Sequence, residues 1–187
     1  MDAKERETTA REIARTHVEQ GFDGVAQIVE QVLDHIGDGP DDLAFAEDVV
    51  EAVWRERLAE QRDWPEVTDP DRILRAFAAL TEAGVTARAH FTCCQGCGTA
   101  EIGDAAAPDA RGYVFFHYQD TESAAANARL HLSYGSFHAA DEDLAIGHEV
   151  VAALTAEGLT PEWDGTIRKR IALTSLTWQK RLPPLPA

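Results

Sequence analysis

The spacing of apolar residues along this chain first changes at Gly84. Before Gly84 they recur every three or four positions, which is the spacing of one helix face. After it they alternate with polar residues, as in a half-buried strand. The helical stripes comprise Val25, Ile28, Val29, Val32, Leu33 and Ile36, and then Leu43, Ala46, Val50, Val53, Trp54 and Leu58. The change predicts an α+β protein in which helices precede a sheet.

The helical part divides at Gly39-Pro40, which separates the two stripes and predicts an antiparallel helical hairpin. Residues 5–20 predict a further helix with a thin apolar face. A fourth helix follows Asp69, which we expect to be its N-cap, with Pro70 in the first turn.

The second part predicts about five strands. They cover residues 85–92, 112–118, 129–134, 159–163 and 167–174, with a hairpin turn at Asp164-Gly165. A long helix from Asp141 to Gly158 is predicted to cover the sheet, which we expect to be mainly antiparallel. The predicted organisation is a helical region over residues 1–68, an α+β domain over 69–182, and a Pro-rich tail over 183–187. Whether the first two form one domain is open.

The chain is strongly acidic, with a formal net charge of −16, and residues 1–83 carry 21 acidic against 9 basic side chains. Such a surface repels phosphate backbones and anionic headgroups, so nucleic acid and membrane are poor partners, whereas a basic protein partner is attracted. No apolar run reaches a membrane-spanning length, and the charged start MDAKERETTA is unlike a signal peptide. We therefore expect a cytoplasmic protein.

Basic residues dominate the end of the chain, because no acid follows Asp164. This basic edge is expected to dock against the acidic helices or an acidic partner. Its members are Arg168, Lys169, Arg170, Lys180 and Arg181.

All three cysteines lie in the run FTCCQGCG, residues 91–98. An odd number of thiols without an export signal argues against a disulfide framework. The run matches half of a zinc knuckle, in which two thiolates bind one metal ion. Four ligands are needed, so a histidine or a second subunit must complete the site. The candidate metal ligands are Cys93, Cys94, Cys97, His90 and His117.

The same cysteines allow a redox interpretation. A Cys-x-x-Cys pair after a strand, at a helix start, is typical of thiol oxidoreductases, with Cys94 and Cys97 as the reactive pair. The motif has no internal proline, and no βαβ crossover is predicted around it. A third interpretation is that the thiols only pack as small apolar groups.

Complete catalytic patterns are missing from the sequence. No serine has a nucleophile-elbow context, and no phosphate-binding glycine loop is present. We therefore favour a non-enzymatic binding or regulatory module with a cysteine-rich turn and no organic cofactor. Three alternatives remain open: a structural zinc site, a thiol-redox enzyme, and an immunity-like protein that neutralises a basic partner.

Several motifs follow one another along the second part of the chain. They are Asp69-Pro70, the helix with Phe77 and Leu80, FTCCQGCG, GYVFFHYQDTE, LHLSYGSF, Gly158-Leu159 and Trp163-Asp164-Gly165. Their order resembles that of an uncharacterised bacterial family of unknown function that is frequent in actinobacteria, and the resemblance covers residues 69–181. It implies membership of that family and assigns no catalytic residue.

Overall fold

A computed structural model describes residues 2–37 and 39–185, and within them the chain forms seven α-helices and a five-stranded sheet. The predicted α+β class is confirmed. The helices are α1 (Ala3–Gln20), α2 (Val25–Ile36), α3 (Pro40–Glu60), α4 (Asp69–Glu82), α5 (Gln95–Glu101), α6 (Tyr118–Asn127) and α7 (Asp143–Ala156). The strands are β1 (Val85–Arg88), β2 (Gly112–Phe115), β3 (Leu130–Ser136), β4 (Pro161–Glu162) and β5 (Ile171–Leu173). None of the described helices is both long and apolar enough to cross a membrane.

Tertiary contacts divide the described chain into a helical unit, residues 2–66 with 179–185, and a sheet unit, residues 67–178. In the helical unit, α1, α2 and α3 pack around a core that includes Ala14, Ile28 and Val50, all fully buried. These residues belong to the predicted stripes or to the thin face of the first helix, and their burial is what stabilises helices of modest intrinsic propensity.

The end of the chain packs into the helical unit. The indole N–H of Trp54 donates to the carbonyl of Pro183 at 3.1 Å, and Leu182 is buried in the same core. Residues 179–182, which the sequence assigned to the α+β domain, therefore pack with the helices. Of the predicted tail, residues 183–185 are described, whereas Pro186 and Ala187 lie outside the described residues.

The sheet has the strand order β1-β2-β3-β5-β4. Three of its pairings are antiparallel, but β1 and β2 are parallel. The chain between them contains α5, so a βαβ crossover surrounds the cysteines, and the expectation that none exists was wrong. This crossover is hard to predict from the sequence, because α5 has seven residues, QGCGTAE, with no apolar stripe.

The first strand is shorter than predicted. Alternation of residue types continues to Thr92, but β1 ends at Arg88, and His90 and Thr92 have left-handed backbone torsions, with φ of 50° and 56°. Left-handed residues break the pleat of a strand. His90 therefore lies in a loop and not on the strand where the alternation placed it.

The N-cap of α4 is Thr68 and not Asp69. The Thr68 hydroxyl accepts the N–H of Asp71, and the Asp71 carboxylate accepts the N–H of Thr68 at 2.9 Å. This reciprocal pair satisfies two donors that a helix start leaves unpaired, which Asp69 inside the first turn cannot do.

Helices lie on both faces of the sheet. On one face, a Cβ added at Gly112 would lie 2.7 Å from Ile146 of α7. Phe115 points to the opposite face, where it contacts Gly98 of α5. The cysteine-bearing helix therefore packs on the face opposite α7.

Candidate functional site

The cysteine turn, residues 91–97, is anchored to the chain that follows β2. The N–H of Phe91 donates to the carbonyl of Phe116 at 2.9 Å, and the N–H of Tyr118 donates to the carbonyl of Thr92 at 3.1 Å. These two bonds extend the strand pairing beyond β1 and hold the left-handed residues in place. The turn therefore starts from a fixed point of the sheet.

A close helix–sheet approach positions the other end of the turn. A Cβ at Gly98 would lie 2.7 Å from Cζ of Phe115, whereas a Cβ at Gly96 would meet no atom within 4 Å. Only glycine at position 98 lets α5 sit this close to the ring. The two glycines of the motif therefore differ in role, and Gly98 determines where Cys94 and Cys97 lie.

The three sulfur atoms converge. Sγ of Cys93 lies 3.4 Å from Sγ of Cys97, and all three sulfurs lie within 4.8 Å of one another. Each thiol is free, with Cys93 exposed and the other two partly buried. Across residues 2–37 and 39–185, this is the one set of three or more His, Cys, Asp or Glu side chains placed to share a metal ion. The structure thus brings together the three predicted cysteines.

The thiols differ in acidity. The backbone N–H of Cys97 lowers the pKa of the Cys94 thiol, and contacts with the other two thiols act in the same direction. Hydrogen bonding to Cys93 and Cys94 raises the pKa of Cys97 to about 11. Of Cys94 and Cys97, Cys94 therefore loses its proton more readily, because a thiolate there is stabilised by its neighbours.

His90 and His117 are engaged away from the sulfurs. Nδ1 of His90 lies 2.9 Å from the hydroxyl of buried Thr121, and its ring stacks on Tyr118 with centroids 4.3 Å apart. His117 lies beyond the end of β2 and is the N-cap of α6, where Nδ1 accepts the N–H of Asp120 at 3.3 Å. Neither is grouped with the cysteines, so their assignment as metal ligands remains a prediction.

A buried charged cluster beside the site was not predicted. The Asp120 carboxylate pairs with Arg170 and lies 3.0 Å from Nε2 of His117. Burial lowers the pKa of His117 although Asp120 opposes the effect, so burial favours the neutral form of the ring. The sequence placed Arg170 in the basic edge but did not link it to Asp120. Nothing in a linear pattern joins positions 50 residues apart.

The family model of DUF6891, a domain of unknown function, matches residues 3–182. The chain belongs to the DUF6891 family. The resemblance to a family of unknown function is thereby confirmed, and the match extends beyond residues 69–181 to include α1, α2 and α3. DUF6891 therefore covers both the helical unit and the sheet unit. No curated protein and no solved structure matches the chain.

Proposed function

We propose that this DUF6891 protein is a non-enzymatic binding or regulatory module that holds one thiophilic metal ion, zinc foremost, on Cys93, Cys94 and Cys97. The convergence of the three sulfurs carries this proposal. A tetrahedral ion with Zn–S bonds of about 2.3 Å requires sulfurs about 3.8 Å apart. The Cys93–Cys97 separation of 3.4 Å and the upper limit of 4.8 Å for all three sulfurs bracket that value.

The donor set supports an open site in preference to a closed structural one. Three thiolates come from one turn, and the nearby histidines are hydrogen bonded to Thr121 and Asp120. With three protein ligands, zinc retains one position for water or an incoming group. Cys93 is exposed, so that position is accessible to a partner's side chain or a small thiol. Such a site suits reversible, regulatory binding.

Metal uptake is expected to depend on pH. The thiolates are the ligands, so the proton of Cys97, with a pKa of about 11, must be displaced when the ion binds. The Cys94 thiol has a lowered pKa and supplies the first sulfur. Affinity should therefore rise with pH across the neutral range, with protons released on binding.

The test is metal stoichiometry on protein purified with reductant and without chelator. We expect near one zinc per chain, and Co²⁺ replacing it should give thiolate charge-transfer absorption. Cys94→Ser and Cys97→Ser should abolish both signals. Exposed His138 provides the control, since His138→Gln should leave both unchanged. Fully folded protein that neither contains zinc nor binds it in competition with a chromophoric chelator would contradict the proposal.

Thiol redox chemistry is the second candidate, because the Cys93 and Cys97 sulfurs are 3.4 Å apart and the turn lies in a βαβ crossover. Oxidation would join two thiols in a disulfide and pass two electrons and two protons to a disulfide substrate, which becomes two thiols. The sequence favoured Cys94 with Cys97. Mapping the bridge formed in glutathione buffers, with and without zinc, distinguishes the candidates, because bound metal protects the thiols.

We further infer that FTCCQGCG is a motif of the whole family, that its hosts are mainly actinobacteria, and that the protein acts in the reducing cytoplasm, where free thiols persist.

A basic protein partner remains part of the proposal because the first 83 residues are strongly acidic. Salt-sensitive pull-down by the full chain tests this partner. If the partner is captured equally well at high salt, the interaction does not depend on charge.

A further inference from the structure

A cavity of about 700 Å³ lies in the sheet unit, next to the cysteine turn. Its floor includes His131 of β3 and Ala172 of β5, which are paired across the two strands and share a face. Gln95, the residue after Cys94, forms part of the wall. The volume is in the range of sites that bind small molecules.

Positive charge dominates the wall of this cavity. Four cationic side chains line it, against two carboxylates. The cations are Arg129, Arg168, Lys169 and Arg170, and the acids are Glu162 and Asp164. Such a concentration contrasts with the net charge of −16 that the chain carries. The cavity is therefore a local exception to the surface field of the protein.

The charges are only partly neutralised within the chain. Lys169 pairs with Asp164 at 3.0 Å, and Arg170 pairs with Asp120. Over residues 2–37 and 39–185, no ion pair or hydrogen bond engages the guanidinium of Arg129 or Arg168. Two planar, five-donor cations thus face the cavity without a carboxylate.

Two buried donors near the floor are also unpaired. Nε of Arg170 and the hydroxyl of Ser133 are both inaccessible, and neither has a hydrogen-bond partner among the described residues. Ser133 is 5% exposed and lies two residues from His131 on the same face of β3. Because both atoms are closed off from solvent, a ligand in the cavity does not reach them, and the exposed guanidinium groups of Arg129 and Arg168 remain the donors available to it.

His131 adds a titratable reporter to the floor. Burial lowers the pKa of its imidazole, and the positive charge of Arg170 lowers it further. An anion placed in the cavity would act in the opposite direction and raise that pKa.

We propose that this cavity binds a small molecule that carries a phosphate monoester. Unpaired guanidinium forks match a phosphate dianion better than any neutral group. The cavity volume leaves room beside the phosphate for an organic part against Trp163, another lining residue. The site uses no cysteine sulfur, so the phosphate proposal does not depend on the metal proposal.

The experiment is calorimetric titration of the full chain at low ionic strength with ribose 5-phosphate, inorganic phosphate and ribose. We expect the sugar phosphate to bind more tightly than inorganic phosphate, and ribose not to bind. Arg129→Gln and Arg168→Gln should each weaken sugar phosphate binding roughly tenfold, the size of one lost charge-assisted contact. Arg75→Gln is the matched control. It removes the same charge from an exposed position of α4 outside the cavity and should have no effect.

Three outcomes would overturn the proposal: no binding of either phosphate at millimolar concentration, equal weakening by Arg75→Gln, or unchanged affinity in both cavity variants. Equal affinity for inorganic phosphate and the sugar phosphate would overturn the assignment of an organic ligand. The NMR titration of His131 gives a second readout, and its pKa should rise when ribose 5-phosphate is bound. Cys94→Ser should retain this binding, which separates failure here from failure of the metal site.

Discussion

The contact between Gly98 and Phe115 is the part of the site that a single substitution tests most directly. Gly98→Ala places a methyl group against the Phe115 ring, with Cζ only 2.7 Å away, so either the ring or α5 must move. Gly96→Ala, two residues earlier in the same helix, places the same methyl in open space. Both changes gain the same helix propensity, about 0.5–1 kcal/mol. The difference between the two variants therefore isolates the contact.

The expected magnitude follows from the packing. Phe115 is fully buried, so it has little freedom to yield, and overpacking of this kind costs about 1–3 kcal/mol. Gly98→Ala should thus be less stable than Gly96→Ala by that amount, which is roughly 2–12 °C in melting temperature for a chain of this size. Thermal unfolding followed by circular dichroism measures it, with urea unfolding as a check.

The same pair of variants tests whether this contact positions the cysteines. If α5 is displaced, the Cys94 and Cys97 sulfurs lose their alignment with Cys93, and zinc affinity should fall in Gly98→Ala while Gly96→Ala retains it. Equal melting temperatures and equal zinc affinities in the two variants would refute the argument that Gly98 holds the turn in place.

Three further predictions concern titratable groups. Iodoacetamide at pH 8 should modify Cys94 well before Cys97, because the pKa of Cys94 is lowered and that of Cys97 is about 11. Equal modification rates of the two thiols, followed by mass spectrometry, would disprove this difference in acidity. Asp120→Asn should lower the free energy of unfolding in urea by about 3–5 kcal/mol, because it leaves the charge of Arg170 without its buried partner. The control Asp141→Asn changes an exposed residue and should have no effect, and similar urea midpoints for the two variants would show that the pair is not stabilising. The pKa of His117 is below its ordinary 6.5, so the folded state binds fewer protons there than the unfolded state, and the free energy of unfolding should decline as pH falls from 7.5 to 5.5. His117→Gln should reduce this decline, and an unchanged pH dependence would exclude His117 as its source.

Helical periodicity was the most reliable guide to the fold. The stripes around Val29 and Val50 become the buried faces of α2 and α3, because an amphipathic helix has one way to remove its apolar side from water. Strand alternation was less reliable. It continued through His90 to Thr92, although the backbone at both residues is left-handed and the strand has already ended.

The candidate site could also be predicted in part from the sequence. Three cysteines within five positions indicated a thiol cluster, and the structure brings their sulfurs together. The histidines proposed beside them turned out to bind Thr121 and Asp120, since ring direction depends on backbone torsions that residue types do not encode. The basic edge likewise gave no sign that Arg170 reaches Asp120 while Arg168 faces a cavity.

The sequence by itself therefore determined the class of the protein, the apolar faces of α2 and α3 and the presence of a cysteine turn, because each depends on neighbours within a few positions. Only the tertiary structure decided that β1 and β2 are parallel, that α5 rests on Phe115, and that basic residues from the loops before β3 and β5 line one cavity. These features join residues far apart in the chain. Their geometry is set by which surfaces pack together, and packing is a property of the folded whole.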